Sequence, residues 1–249
     1  MPDRQFTEPG LAVLYDLFCA WDRRDDFGFY LPMVMAADSV LDVGCGTGML
    51  LRRARVDGHR GRLCGLDPAA AMLEVARSQA DIEWIQGDLT SVGFVGEFDL
   101  IVMTGHAFQV LTGDGELRAA LAAVRTALKR NGVFAFETRN PLARAWERWT
   151  PAYAVDVTGP DGRTWRMTHQ VDTPVAGELV SFTSTYAGPG WARPQVSRST
   201  LRFLGADSLA GFLSAAGLTV EEQYGSWGRQ PLTDASPEII TIARSHGGA

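Results

Sequence analysis

Three features of the sequence predict an α/β fold, a mostly parallel sheet with helices on both faces. Short apolar runs alternate with helix-length patterns through the first half of the chain, as expected of βαβ units. A glycine-rich turn, Val40-Leu-Asp-Val-Gly-Cys-Gly-Thr-Gly48, joins the first of these runs to the first of these helices. After Pro141 the texture changes to β-rich stretches parted by turn residues, which predicts an inserted antiparallel meander.

The elements follow in order. Ser39-Val-Leu-Asp-Val-Gly reads as a buried strand entering the turn, with a helix over residues 46–57. Arg62-Leu-Cys-Gly-Leu-Asp67 is the second strand, and Pro68 suits the first turn of the next helix, where no backbone donor is needed. Ile82-Glu-Trp-Ile and Phe98-Asp-Leu-Ile-Val-Met103 are the third and fourth strands. Leu117, Leu121, Val124 and Leu128 recur at helical spacing and predict a helix over residues 114–130, stopped by Asn131-Gly132. Val133-Phe-Ala-Phe-Glu-Thr138 is the fifth strand. The meander is expected at residues 153–157, 164–171, 178–186 and 196–203, broken at Gly159-Pro-Asp-Gly162, Pro174 to Gly177 and Gly188-Pro-Gly190. A helix over 207–216, with Leu209, Phe212 and Leu213 inward and Gly217 ending it, precedes strands at 218–224 and 238–243. This divides the chain into an N-terminal helical segment (1–37), a core domain (38–140 and 204–249) and an insertion (141–203).

The 249 residues are enough for one large domain with an insertion. Apolar residues make up 46% and charged residues 21%, ordinary for a globular protein. No window approaches a membrane span, and the start lacks a basic region followed by an apolar one, so a cytoplasmic protein without membrane partners is expected. Cys19, Cys45 and Cys64 are odd in number and lack metal-ligand spacing, which suits reduced thiols. A formal net charge of −6 without a clustered basic surface disfavours nucleic acid as a partner.

Chemistry concentrates at the glycine turn. Gly44, Gly46 and Gly48 allow positive φ and let a ligand touch backbone without a Cβ in the way. A dinucleotide site uses GxGxxG, whose third glycine packs helix to strand beside a pyrophosphate. This chain has GxGxG, preceded by Asp42. S-adenosylmethionine carries no phosphate and needs an acceptor for its amino group, which an acidic residue beside the turn supplies. Asp67, ending the second strand, can accept both ribose hydroxyls. Asp88, in Gln86-Gly-Asp-Leu after the third strand, can accept from the exocyclic amine of adenine. Three acidic residues at successive strand ends share one edge of a parallel sheet, where such folds bind ligands. Each also has a plain structural reading: Asp42 capping the turn, Asp67 as an N-cap before Pro68, Asp88 in an Asx-turn.

The ordered motifs Leu-Asp-Val-Gly-Cys-Gly-Thr-Gly, Gly-Leu-Asp-Pro, Gln-Gly-Asp-Leu, Phe-Asp-Leu-Ile-Val and Asn-Gly-Val-Phe resemble the class I S-adenosylmethionine-dependent methyltransferases over residues 38–140, the C-terminal helix and the last two strands. The resemblance implies a Rossmann-like seven-stranded sheet whose last strand is antiparallel, with S-adenosyl-L-methionine as cofactor and S-adenosyl-L-homocysteine as product. It places Asp42, Gly44 and Gly46 at the methionine end, Asp67 at the ribose, Asp88 with Leu89 at the adenine, and Met103 and Thr104 on the floor. Tyr15, Cys45, Gly48, Pro68, Met72 and Gly87 complete the expected cofactor set.

Methyl transfer is an in-line displacement helped by alignment and exclusion of water, and a positioned base helps where the acceptor loses a proton. His106, in Met103-Thr-Gly-His-Ala-Phe-Gln109, follows the fourth strand and is the best candidate base, with packing or simple binding as its other reading. His59 and His246 are not candidates, and His169 reads as a strand residue that can reach over the pocket. The amphipathic stretch Leu11-Ala-Val-Leu-Tyr15-Asp-Leu-Phe18, with Trp21 and Phe27-Gly-Phe-Tyr30, predicts a lid, and Tyr15 and Tyr30 are candidate contacts. Tyr30, His106, Gln109, Arg139 and Trp146 form the expected acceptor set. Trp146, Trp149, Trp165 and Trp191 either line the acceptor pocket or bridge insertion and core. Tyr15-Asp-Leu-Phe18 and the late β-insertion are also similar to bacterial sugar-amine N-methyltransferases of antibiotic pathways, which implies a small-molecule acceptor. No carboxylate cluster suggests a metal. O- and N-methylation both remain open, as do a monomer and a homodimer. Other chemistry on the same cofactor, a non-catalytic ligand sensor and, more distantly, a nicotinamide oxidoreductase are the rival readings.

Overall fold

In the computed structural model, which describes residues 2–245, the chain opens with three helices, α1 (Arg4–Thr7), α2 (Pro9–Phe18) and α3 (Asp25–Ala36). The core then alternates β1 (Ser39–Val43), α4 (Met49–Val56), β2 (Arg62–Asp67), α5 (Ala70–Ala76), β3 (Glu83–Gln86), β4 (Phe98–Met103), α6 (Asp114–Ala127) and β5 (Leu128–Arg139). The insertion supplies β6 (Val155–Thr158), β7 (Thr164–Val171), β8 (Leu179–Ala187) and β9 (Gln195–Arg202). α7 (Ala206–Ala215), β10 (Leu218–Tyr224) and β11 (Glu238–Ser245) close the fold. His246 lies outside the described residues.

Seven strands form one sheet in the order β10-β11-β5-β4-β1-β2-β3. β1 to β5 run parallel, and β11 lies antiparallel between β5 and β10. The predicted α/β fold with an antiparallel last strand is thus the observed one. β1 is buried along its whole length, as a central parallel strand must be when helices cover both faces. On one face Phe134, Phe136, Ile101 and Leu41 pack against Leu117, Leu121 and Val124 of α6 and Leu209 and Leu213 of α7. On the other, Val40, Val102, Ile240 and Ile242 meet Phe27, Tyr30 and Val34 of α3 and Leu50 and Leu51 of α4. The insertion forms a separate antiparallel sheet, β6-β7-β8-β9, within one or two residues of the predicted strands. Among the described residues no helix is long and apolar enough to cross a membrane.

Three predicted boundaries differ by three residues or more, and the largest shift is in the fifth strand: expected from Val133 behind an Asn131-Gly132 helix stop, it begins at Leu128 and runs through those two residues. The helix expected from residue 46 begins at Met49, because Gly46 (φ 55°) and Gly48 (φ 72°) are left-handed and cannot join a right-handed helix. The helix expected to reach residue 130 ends at Ala127. The amides of Gly96 and Glu97 cap the carbonyls of Thr126 and Ala127 at 2.8 Å, and Leu128 turns extended to pair with Phe98. Leu128 is 3% exposed, so its apolar character served a strand where the spacing read a helix turn.

Candidate active site

The glycine turn hangs from the neighbouring strand. The amides of Gly44 and Cys45 donate to the Leu66 carbonyl at 2.8 and 3.2 Å, and Gly46 N–H donates to Asp67 Oδ2 at 2.8 Å. Two glycines are sterically required. A Cβ on Gly48 would sit 2.2 Å from the Trp84 ring, and one on Gly44 would sit 2.9 Å from Ala107 Cβ, both at positive φ. The bare turn opens onto a cleft lined by Tyr15, Arg24, Asp42, Cys45, Gly46 and Thr104, among others.

Asp42 is 1% exposed, and its Oδ1 has no hydrogen-bond partner. Burial pushes its carboxyl up to about 7; Arg24 opposes that shift, and Asp67, Glu137 and Asp26 reinforce it. A buried carboxylate oxygen without a partner is costly. An ammonium group would satisfy it, so the donor set fits the methionine end of the expected cofactor. Arg24 brings the complementary charge. Asp26 grips it through Nε–Oδ1 at 2.7 Å and Nη2–Oδ2 at 2.5 Å, and its guanidinium lies 4.1 Å from the Phe27 ring centre. It was invisible in the sequence, where Trp21-Asp-Arg-Arg-Asp-Asp reads as a solvated mixed-charge run.

Asp42, Asp67 and Asp88 come together at the carboxyl ends of the adjacent strands β1, β2 and β3. Asp67 Oδ1 accepts from Ala69 N–H at 2.8 Å, so Asp67 ties the turn to α5 as well. Burial raises its pKa, and the amides of Ala69 and Gly46 counter that shift. Asp88 Oδ1 accepts from Thr90 N, Thr90 Oγ1 and Ser91 N, an Asx-turn whose Thr90 hydroxyl is the main cause of its lowered pKa. The tip of Met72 lies against Gly46, whereas Leu89 and Met103 are buried in the core cluster beneath the sheet edge. Tyr15 lines the cleft, its hydroxyl pushed up by burial and by Cys19 one helical turn away.

A second polar group adjoins the cleft. His106, at φ 63°, donates its backbone N–H to Glu137 Oε1 at 2.7 Å and sets Nε2 2.9 Å from Glu238 Oε2. The imidazole keeps 18% of its side-chain surface exposed and Glu238 keeps 14%, so both are reachable. Burial holds His106 well below the usual histidine range, with Arg139 adding to the effect. Burial likewise pushes Glu137 up to about 8, reinforced by Asp26, and Glu238 up to about 7, opposed by Arg139. Neither glutamate was singled out in the sequence. Glu137 carried a signal, a charge inside an apolar strand; Glu238 merely opens the last strand.

Other expected acceptor residues are otherwise engaged. Tyr30 is fully buried and donates to Glu137 Oε2 at 2.5 Å, which makes it a support beneath the site. Gln109 is 1% exposed; it donates to the Arg202 carbonyl and accepts from Arg139 Nη1 at 3.0 Å, so it holds Arg139 in place. Arg139 lies over the Trp149 ring at 5.1 Å. Trp146 meets Phe203 edge-on inside the insertion's own apolar cluster with Val171, Val180 and Phe182, whereas Trp165 and Trp191 join the inserted sheet to Leu11, Leu14 and Phe18 of α2. His169 contacts Ser184 Oγ at 3.0 Å and faces Trp149 and Phe182 from β7.

Known proteins share the sequence and the fold. Residues 40–132 match the family model described as a methyltransferase domain. The chain is 32% identical over 150 residues to a 2-phytyl-1,4-naphtoquinone methyltransferase from Synechocystis sp., covering 55% of this chain but only 60% of that enzyme's length. It is 31% identical over 193 residues to a dTDP-3-amino-3,6-dideoxy-alpha-D-glucopyranose N,N-dimethyltransferase from Streptomyces fradiae, covering 74% of this chain and 71% of that one. The fold matches an S-adenosylmethionine-bound amino pentose methyltransferase from Micromonospora echinaspora with a TM-score of 0.67 at 23% identity, over 89% and 91% of the two chains. With its glycine turn, its strand-end carboxylates and these relatives, the chain belongs to the S-adenosylmethionine-dependent methyltransferases.

Proposed function

We propose that the protein methylates an amino group on a small-molecule acceptor held between the 104–109 loop, the end of β5 and the inserted sheet. The observation that carries this reading is one juxtaposition. The cleft holding the unpartnered Asp42 oxygen adjoins a reachable histidine ringed by carboxylates. When bound, S-adenosylmethionine supplies a methyl group on a sulfonium, and the electrons of the broken bond stay on sulfur.

The residues divide the work. Asp42 accepts from the methionine ammonium and Arg24 receives its carboxylate, a charge-assisted pairing at both ends. Asp67 already holds two backbone amides, and a carboxylate offers about four lone-pair sites, so it retains capacity for the ribose hydroxyls. Asp88 Oδ2 is free of the Asx-turn contacts and serves the adenine amine, with Leu89 beneath. α2 lies over the glycine turn as a lid, and the inserted sheet covers the acceptor. Glu238, ionised above about pH 7, gives the acceptor side a negative charge that favours a cationic amine over a neutral hydroxyl. His106 takes the proton that the nitrogen must lose. The amino-sugar and amino-pentose relatives support the same acceptor class.

A panel of amino sugars and their hydroxyl counterparts, scored by release of adenosylhomocysteine, tests this. Turnover of amines at least tenfold above the matched alcohols is expected. Turnover of the alcohols alone would refute the amine assignment.

A further inference from the structure

We propose that Glu238 is a positioning residue that holds His106 as the Nε2–H tautomer and so leaves Nδ1 with the ring's lone pair. The inference deepens the reading above and rests on His106 acting as a base there.

The topology builds the pair. β11 runs antiparallel to β5 with Glu238 opposite Arg139 and Ile240 opposite Glu137. Residues opposite one another, and residues two apart on one strand, share a face. Glu137, Arg139 and Glu238 therefore stand together on the sheet face covered by α3. The loop carrying His106 turns through Gly105 and His106 at positive φ and is fastened by His106 N–H to Glu137. The ring's Nε2 meets Glu238 at 2.9 Å. A neutral imidazole carries one proton, and an ionised carboxylate can only accept, so this contact places the proton on Nε2. The acceptor's proton then has Nδ1 as its destination. The resulting imidazolium faces Glu238, as the imidazolium of a catalytic triad faces its carboxylate.

Every charged or titratable group around the pair bears on the balance. Arg24 faces it from the N-cap of α3, Asp26 and Tyr30 from α3 itself, and Glu137 and Arg139 from β5. Arg139 favours the ionised form of Glu238, and Asp26 opposes it. With the carboxyl pushed up to about 7, a protonated Glu238 would donate to Nε2 at lower pH and move the lone pair off Nδ1.

Nitrogen-15 spectra of the cofactor-free protein, with His106 assigned by comparison with His106→Gln, read the tautomer directly. At pH 8.5 the wild-type ring is expected to be predominantly Nε2–H, with Nδ1–H gaining as pH falls below about 7. Glu238→Gln, whose amide both donates and accepts, is expected to turn that preference into a mixture. A wild-type ring that is Nδ1–H at pH 8.5, or one unmoved by Glu238→Gln, overturns the assignment. Should the variant fail to fold, the wild-type titration alone distinguishes the two tautomers and decides the matter. No product is measured here, so failure of this test and failure of the amine panel are distinguishable.

Discussion

On the proposed reading, Asp42 is a binding group kept ready at the expense of stability. Its carboxyl is pushed up to about 7 by burial, and one oxygen has no partner until a cation arrives. Binding the cofactor's ammonium requires the ionised form, so affinity is expected to weaken as pH falls below about 7. Asp42→Asn keeps the shape and removes the charge. It is expected to weaken the cofactor about 10- to 100-fold, matching the ~1.5–3 kcal/mol of a hydrogen bond to a charged group, and to abolish this pH dependence. The same variant is expected to raise the melting temperature of the empty protein at pH 8, because a buried charge is removed. Calorimetric titration at pH 6 and 8 with a thermal scan checks all three, and unchanged affinity would refute the ammonium assignment. Asp42 and Asp67 were readable from the motif because each sits at a strand end beside a glycine turn, a local arrangement. Glu137 and Glu238 were not, since nothing near either residue says that His106 will meet it.

At the scale of the element, α2 is the helix that the proposed function makes a lid, and it is fastened on two sides. α2 buries Leu11, Leu14 and Phe18 against the inserted sheet and Ala12 against Ala69 and Met72 of the core. Its opposite register carries Asp16, which accepts from Thr47 Oγ1 at 2.5 Å in the glycine turn and pairs with Arg52 of α4 at 3.3 Å. One carboxylate thus joins α2 to the glycine turn and to α4. The ion pair is partly exposed and contributes little; the hydrogen bond to Thr47 is the term that matters. Asp16→Ala is expected to weaken cofactor affinity about fivefold, the ~1 kcal/mol of a typical net hydrogen bond, with faster amide exchange in α2. An affinity within experimental error of wild type would mean that the lid is held by its apolar contacts alone. The amphipathic spacing of residues 11–18 made this helix legible. The end of α6 was not, because the amides that stop it come from residues 96 and 97, one strand away.

For the whole molecule, the buried acids set how stability depends on pH. Asp42, Glu137 and Glu238 sit at about 7, 8 and 7, above their ordinary values of 3.8, 4.5 and 4.5. The folded state therefore binds more protons than the unfolded chain between the two sets of values, and stability falls as pH rises through that window. His106 runs the other way: its lowered pKa contributes stability that is complete above pH 6.5. Between pH 6.5 and 8.5 the carboxylates dominate. The empty protein is expected to melt several degrees lower at pH 8.5 than at 6.5, with saturating S-adenosylmethionine recovering part of the loss. A flat or rising profile in calorimetry would show that these acids are solvated. Strand periodicity, glycine spacing and helix faces are properties of a few consecutive residues, so the α/β core, the inserted meander and the cofactor turn were written in local pattern. The acid–histidine group joins residues 26, 106, 137 and 238 from α3, a loop and two antiparallel strands. Burying charge is tolerable only where partners converge from distant segments, and that convergence exists only once the sheet has formed.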